Sequence, residues 1–315
     1  MTIYQPSLNP DKITFRRSVK KHWPVYLMLI PGILLIFIFH YIPMYGIVIA
    51  FKDYKAVHGV LGSPWADNGG LEHFIKFFSS RNFPILLRNT FVMSVYAIIV
   101  GFPMPIIFAL LLNEVRHMRY KKIVQTVSYM PNFISAVIIC GIARTFLNSD
   151  GVILAVMRMF GSDRKLSLLA EPALFPTIVV LLEIWQVMGW NSIMYVAALS
   201  GIDSQLYEAA RIDGCNRWGL TVHVTLPGIL PTIVIMGIMA LGGIMSVNDE
   251  YILLLYSPLT YETGDVFGTY LFRSGIQNGA YDSSAAVGLV LSVFGFGMVA
   301  LFNWIGKKTT DISLW

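Results

Sequence analysis

The chain has 315 residues, 56% of them hydrophobic and only 13% charged. Soluble domains carry about a quarter charged residues, so the composition excludes an ordinary soluble enzyme and indicates an integral membrane protein. The net charge of +5 is modest and its basic residues gather at the ends of apolar runs, a pattern of membrane orientation and not of nucleic-acid binding.

Residues 1–25 form a polar, basic tail with Lys12, Arg16, Arg17, Lys20 and Lys21. The apolar run 25–51 is too long for a signal-peptide core and has no small-residue cleavage site, so it reads as a first membrane span, kinked by Pro31 and Pro43. Polar sequence follows over 52–84, with a short amphipathic helix expected near 71–78. A second span is expected over 85–112. The compact basic loop NEVRHMRYKK then leads to a third span over 124–147. A mixed segment with Arg164, Lys165 and Glu171 precedes a fourth span over 172–199. A fifth is expected over 232–256 and a sixth over 285–305, ending at Lys307 and Lys308. The expected fold is all-α: a polytopic helical bundle with about six transmembrane helices. The expected layout is a tail 1–25, a permease domain 26–306 and a tail 307–315. An even number of spans places both termini on one side, and the density of Lys and Arg in the first tail and the short loop marks that side as cytoplasmic.

No GxxxxGK[ST] phosphate loop is present, nor an HExxH or GxSxG motif, so the chain is expected neither to bind ATP nor to act as an enzyme. Cys140 and Cys215 belong to no CxxC or Cys/His cluster, which leaves no zinc site or disulfide framework in the pattern.

Ionisable residues inside a span are costly and usually face a cavity or the bundle interior. Glu183 lies mid-way along the fourth span. Gln186, Trp190 and Met194 follow it at steps of three and four residues, with Asn191 to the side. A carboxylate, amides and an indole suit a sugar, whose hydroxyls need donors and acceptors and whose ring face stacks on aromatics. The competing reading is an interhelical hydrogen bond from Glu183 with tryptophans that only pack. Asn248, Asp249 and Glu250, at the end of the fifth span, either line an outer mouth, are simply solvated or cap a neighbouring helix.

The loop 204–231 is the polar stretch between the fourth and fifth expected spans, and it contains EAARIDGCNRWGLTVHVTLPGILP. A helix is expected over 205–213, ended by Gly214 in the left-handed conformation. Asn216 is placed to cap a second short helix, and Pro227 and Pro231 mark re-entry into apolar sequence. The spacing from Glu208, Ala209 and Ala210 to Gly214, and on to Val224, Leu226 and Pro227, resembles the EAA coupling loop of bacterial ABC importer permeases. One position departs, the usual isoleucine being Val224. The stretches WPVYLMLIPGILLIFIFHYIPMYGIVIAFKDY and NDEYILLLYSPLTYETGDVFGTYLFRSGI, with the ending ISLW, resemble sugar-importer permeases of the polysaccharide and complex-oligosaccharide branch.

The resemblance implies a type I ABC importer permease fold in a bacterial cell membrane. It implies a heterodimer with a second homologous permease, two copies of a cytoplasmic ABC ATPase and an extracellular lipid-anchored solute-binding protein. ATP and Mg would be used by the ATPase, with no cofactor bound by this chain. Glu208, Ala209, Ala210, Arg211, Asp213 and Gly214 would make the ATPase contact, and an oligosaccharide would cross by alternating access. The alternatives are an ion-gradient-driven secondary transporter and a non-transporting scaffold or sensor subunit.

Overall fold

The structure, a computed structural model, describes residues 15–161, 166–245, 249–310 and 312–314, with side chains from residue 22 onward. Arg164, Lys165 and Asn248 lie outside the described residues. Among the described residues every regular element is helical, apart from an isolated bridge between Lys52 and Trp65.

In chain order the principal helices are α1 (Phe15–Ile36), α2 (Glu72–Phe78), α3 (Asn82–Tyr96), α4 (Pro103–Glu114), α5 (Met118–Tyr129), α6 (Ala136–Leu147) and α7 (Val152–Met159). They are followed by α8 (Phe175–Ser200), α9 (Ser204–Ile212), α10 (Arg217–Leu220), α11 (Leu226–Gly242), α12 (Asp249–Leu255), α13 (Phe267–Leu271) and α14 (Tyr281–Thr310). Among the described residues six helical stretches are long and apolar enough to cross a membrane: His22–Phe51, Asn82–Glu114, Ala136–Met159, Phe175–Ser200, Arg217–Gly242 and Tyr281–Thr310.

Prolines and wide turns divide the long helices. A π-turn at Ala97–Gly101 joins α3 to α4 just ahead of Pro103, which has no amide to donate. A second π-turn, Thr221–Thr225, joins α10 to α11 ahead of Pro227. The fifth apolar helix therefore starts at Arg217, well before the expected residue 232, because the helix capped by Asn216 runs on without interruption. The third expected span, 124–147, is broken: α5 ends in a 3-10 turn, Met130–Phe133, and Ile134 is extended before α6 begins. The expected short helix near 71–78 is α2.

α8 is the central helix. It packs most extensively on α4, and also on α11, α5 and the 3-10 turn after α5. Its crossing with α5 depends on Gly189: a Cβ there would lie 2.0 Å from the Ser128 carbonyl oxygen, so only a residue without a side chain permits this approach. α14 packs on α11 and on the 3-10 turn Tyr45–Phe51 that follows α1. Around α8 two apolar clusters form. One joins Met93, Ile139, Phe175, Val179, Tyr251 and Ile252. The other joins Ile106, Ala109, Tyr195, Leu199 and Ile229. The end of the chain folds back on α14, where the Leu314 amide donates to Asn303 Oδ1 at 2.7 Å.

Candidate functional site: an exposed interhelical loop and an intramembrane cavity

The loop between α8 and α11 is built by local signals. Asp203 caps α9 by accepting from the Gln205 amide at 2.9 Å. The helix ends in a paired turn: the Gly214 amide donates to the Arg211 carbonyl at 3.1 Å and the Cys215 amide to the Ala210 carbonyl at 2.9 Å. Gly214 takes φ +83°, a conformation that side-chain-bearing residues rarely adopt. Asn216 Oδ1 then accepts from the Gly219 amide at 2.8 Å and starts α10. Tyr207 bonds Thr225 across the turn at 3.1 Å, which holds α9 against the start of the next long helix.

The rest of α9 faces away from the bundle. Glu208, Ala209, Arg211, Asp213 and Gly214 are exposed and Ala210 is half-buried. The same surface exposes Leu206, Ile212 and Trp218, at 55%, 86% and 75%. Three large apolar side chains beside carboxylates and an arginine form a mixed surface suited to docking.

Within the bundle, α3, α4, α8 and α11 line a half-open cavity of about 600 Å³. Glu183, Val187, Asn191 and Met194 line it from α8, Ser94 from α3, and Met236 and Met239 from α11. Among the described lining residues there is one carboxylate and neither lysine nor arginine. Glu183 and Asn191 thus share the cavity.

Gln186 and Trp190 do not line it. Gln186 Nε2 donates to the Ile134 carbonyl at 2.8 Å, and its Oε1 accepts from the Tyr251 hydroxyl. Trp190 meets Phe133 edge-to-face with ring centroids 5.4 Å apart. Both residues support the broken helix between α5 and α6. The reason is rotational drift: steps 183, 187, 191 and 194 follow the cavity face, while 186 and 190 fall behind it.

Of the acidic cluster at the other end, Asp249 packs its carboxylate against Gly268 of α13. Glu250 lines a second cavity of about 410 Å³ with Leu253, Leu254, Tyr256, Phe272 and Gln277. The segment leading into α14 is pinned by a two-pronged ion pair. Arg273 donates Nη1 and Nη2 to Asp265 at 3.1 and 2.7 Å. Asp265 holds the Arg273 guanidinium well above its usual pKa. Asn89 Nδ2 ties the same segment to α3 through the carbonyls of Glu262 and Asp265, both at 3.0 Å.

Residues 87–311 match the family described as binding-protein-dependent transport system inner membrane component. The chain is 37% identical over 306 residues to the polygalacturonan/rhamnogalacturonan transport system permease protein YteP of Bacillus subtilis (strain 168), covering 95% of this chain and 94% of that protein. It is 38% identical over 304 residues to Protein LplB of the same organism, covering 96% and 95%. Among solved structures it is similar to a chain of a bacterial ABC transporter involved in the import of the acidic polysaccharide alginate. That match has 40% identity and TM-score 0.85, covering 93% of this chain and 98% of that one. A second structure, an alginate ABC transporter in complex with alginate pentasaccharide-bound periplasmic protein, matches at 38% identity and TM-score 0.86, covering 95% and 99%. Neither ion-driven transport nor a scaffold role draws support from these relatives. With its helical fold, exposed loop and intramembrane cavity, the chain belongs to the family of binding-protein-dependent transport system inner membrane components.

Proposed function

We propose that this chain is one permease subunit of an ATP-driven importer of complex oligosaccharides. The single observation that carries the reading is the exposed α9–α10 loop, with Glu208, Ala209, Ala210 and Gly214 in the coupling-loop spacing and Leu206, Ile212 and Trp218 uncovered beside them. A separate ATPase docks here, in two copies across a pair of permeases, and carries the ATP and Mg chemistry. Ala209 and Ala210 allow close approach, Glu208, Arg211 and Asp213 make polar contacts, and Gly214 fixes the turn. The loop and both termini lie in the cytoplasm. This orientation puts the basic residues Arg116, Arg119, Lys121 and Lys122 on the positive-inside face.

A solute-binding protein delivers the sugar to the opposite face. A second, homologous permease completes the pathway, of which the cavity around Glu183 and Asn191 is this chain's share. Closure of the ATPase pair shifts the bundle between inward- and outward-open states through contacts that differ between the two. The relatives that import alginate or polygalacturonan point to a polymer-derived oligosaccharide. If that sugar carries carboxylates, its compensating cations come from the partner permease, because this cavity lining contains none.

Uptake of labelled oligosaccharides into proteoliposomes, made with the complete complex and its binding protein, tests the proposal. Uptake that requires ATP and the binding protein supports it. Uptake that runs on an imposed ion gradient without ATP overturns it.

A further inference from the structure

We propose that Asp53, His73 and Asp282 form a binding site for a divalent transition metal, suited to Zn2+, at the end of the bundle opposite the coupling loop. The three residues come from separate parts of the chain. Asp53 follows the Tyr45–Phe51 turn, His73 is on α2, and Asp282 is in the first turn of α14. His73 is only 7% exposed. Its Nε2 lies 3.4 Å from Asp53 Oδ1 and 3.9 Å from Asp282 Oδ2. One ligand atom from each residue falls within a 4.8 Å limit of the other two. Zinc bonds of about 2.0–2.1 Å in a tetrahedron put ligand atoms about 3.3 Å apart, so modest contraction of the cluster creates the coordination shell.

The surroundings fit this donor set. An imidazole with two carboxylates matches Zn2+ and its first-row neighbours; Mg2+ and Ca2+ favour all-oxygen shells. The Lys52 carbonyl oxygen, 3.1 Å from Nε2, is a fourth donor close by. The Lys52 ammonium is drawn elsewhere, donating to the carbonyls of Val60 and Leu61 at 2.9 and 2.8 Å. His73 and Asp282 each have an orienting partner. Ser283 Oγ lies 3.3 Å from His73 Nδ1, the Ser283 amide donates to Asp282 Oδ1 at 2.7 Å, and the Tyr54 amide donates to Asp282 Oδ2 at 3.3 Å. With Nε2 bound to metal, the neutral ring carries its proton on Nδ1 and donates it to Ser283 Oγ, the arrangement that fixes a ligating histidine.

The consequence is mechanical. The first apolar helix is exposed along most of its length, and its far end is held mainly by packing on α14. A metal joining Asp53 to Asp282 fastens the first and last long helices at one end. The inference does not depend on the substrate, so it stands or fails apart from the transport reading.

The test is zinc titration of the chelator-stripped, purified importer complex, followed by calorimetry, bound-metal stoichiometry and thermal unfolding. Asp53→Asn is the main variant, because Asp53 is half-exposed and its loss leaves the buried histidine in place; His73→Gln and Ser283→Ala accompany it. The wild type should bind one more zinc per copy of this chain than Asp53→Asn, and zinc should raise its unfolding temperature. Ser283→Ala should weaken that zinc by about tenfold or more. With Co2+ in place of zinc, the wild type should give the visible absorption of tetrahedral cobalt and Asp53→Asn should not. Equal zinc stoichiometry and equal thermal shifts in wild type and Asp53→Asn overturn the proposal.

Discussion

Gln186 bridges Ile134 and Tyr251: its Nε2 donates to the Ile134 carbonyl at 2.8 Å while its Oε1 accepts from the Tyr251 hydroxyl. Ile134 is the extended residue at the break between α5 and α6. A carbonyl freed inside an apolar bundle must find a donor, and this side chain supplies one. Gln186→Leu strands the carbonyl and the buried Tyr251 hydroxyl together. The expected cost is about 2–4 kcal/mol, read as a lowered unfolding temperature in detergent. Tyr251→Phe removes one bond and should cost less. A Gln186→Leu protein of unchanged stability but altered sugar preference would return Gln186 to the substrate path.

Gly189 permits the closest crossing of α8, against Ser128. Gly189→Ala forces the helices apart even though the added group is a single methyl. The expected loss is about 1–3 kcal/mol, and more for Gly189→Val. Thermal unfolding of the two variants beside Gly141→Ala checks it, because Gly141 has open space around it.

Filling the cavity should block passage without unfolding the bundle. Met236→Trp projects a larger side chain from α11 toward Glu183 and Asn191. Uptake should fall by about tenfold or more, equivalent to about 1.4 kcal/mol or more, while the subunits still co-purify. Glu183→Gln keeps the size and removes the charge, and its uptake across a series of sugars reports whether that charge selects the substrate.

The Asp265–Arg273 pair gives a pH prediction. The folded-state pKa of Arg273 is raised by its bonds to Asp265, so its contribution is complete below the ordinary arginine range and is lost only at pH above that range. Deprotonation of Arg273 therefore produces no change in stability between about pH 6 and 9. Arg273→Gln leaves the mostly buried Asp265 carboxylate with Thr269 as its remaining side-chain donor. The expected cost is about 2–3 kcal/mol across that whole range, measured by unfolding temperature at several pH values.

Much of the α9–α10 loop was legible because its signals are local. Asp203, Gly214 and Asn216 each act on backbone within a few residues, so caps and turn follow from residue type. Hydropathy located the apolar helices because a membrane demands long apolar runs, but it misjudged their starts. The polar residues of 217–225 masked a helix that continues from Arg217 to Gly242. The break at Ile134 was hidden for the opposite reason, since hydropathy does not register backbone direction. The cavity was half legible. Glu183 and Asn191 were identified as polar residues in an apolar helix, while Met236 and Met239 look like any packing methionine until four helices are brought around the cavity. The Asp53, His73 and Asp282 cluster was invisible in sequence because tertiary packing alone brings its members together.

The central claim is that α9 transmits ATPase closure to this bundle. Its most direct measurement is substrate-stimulated ATP hydrolysis by the reconstituted complex, comparing wild type with Glu208→Lys and Gly214→Asp. Gly214→Asp places a side chain at φ +83° and disturbs the turn itself; Glu208→Lys reverses one exposed charge. The account predicts that both variants assemble with their partners and lose most of the stimulation by substrate-loaded binding protein. Full stimulation in both variants, with normal uptake, would contradict it.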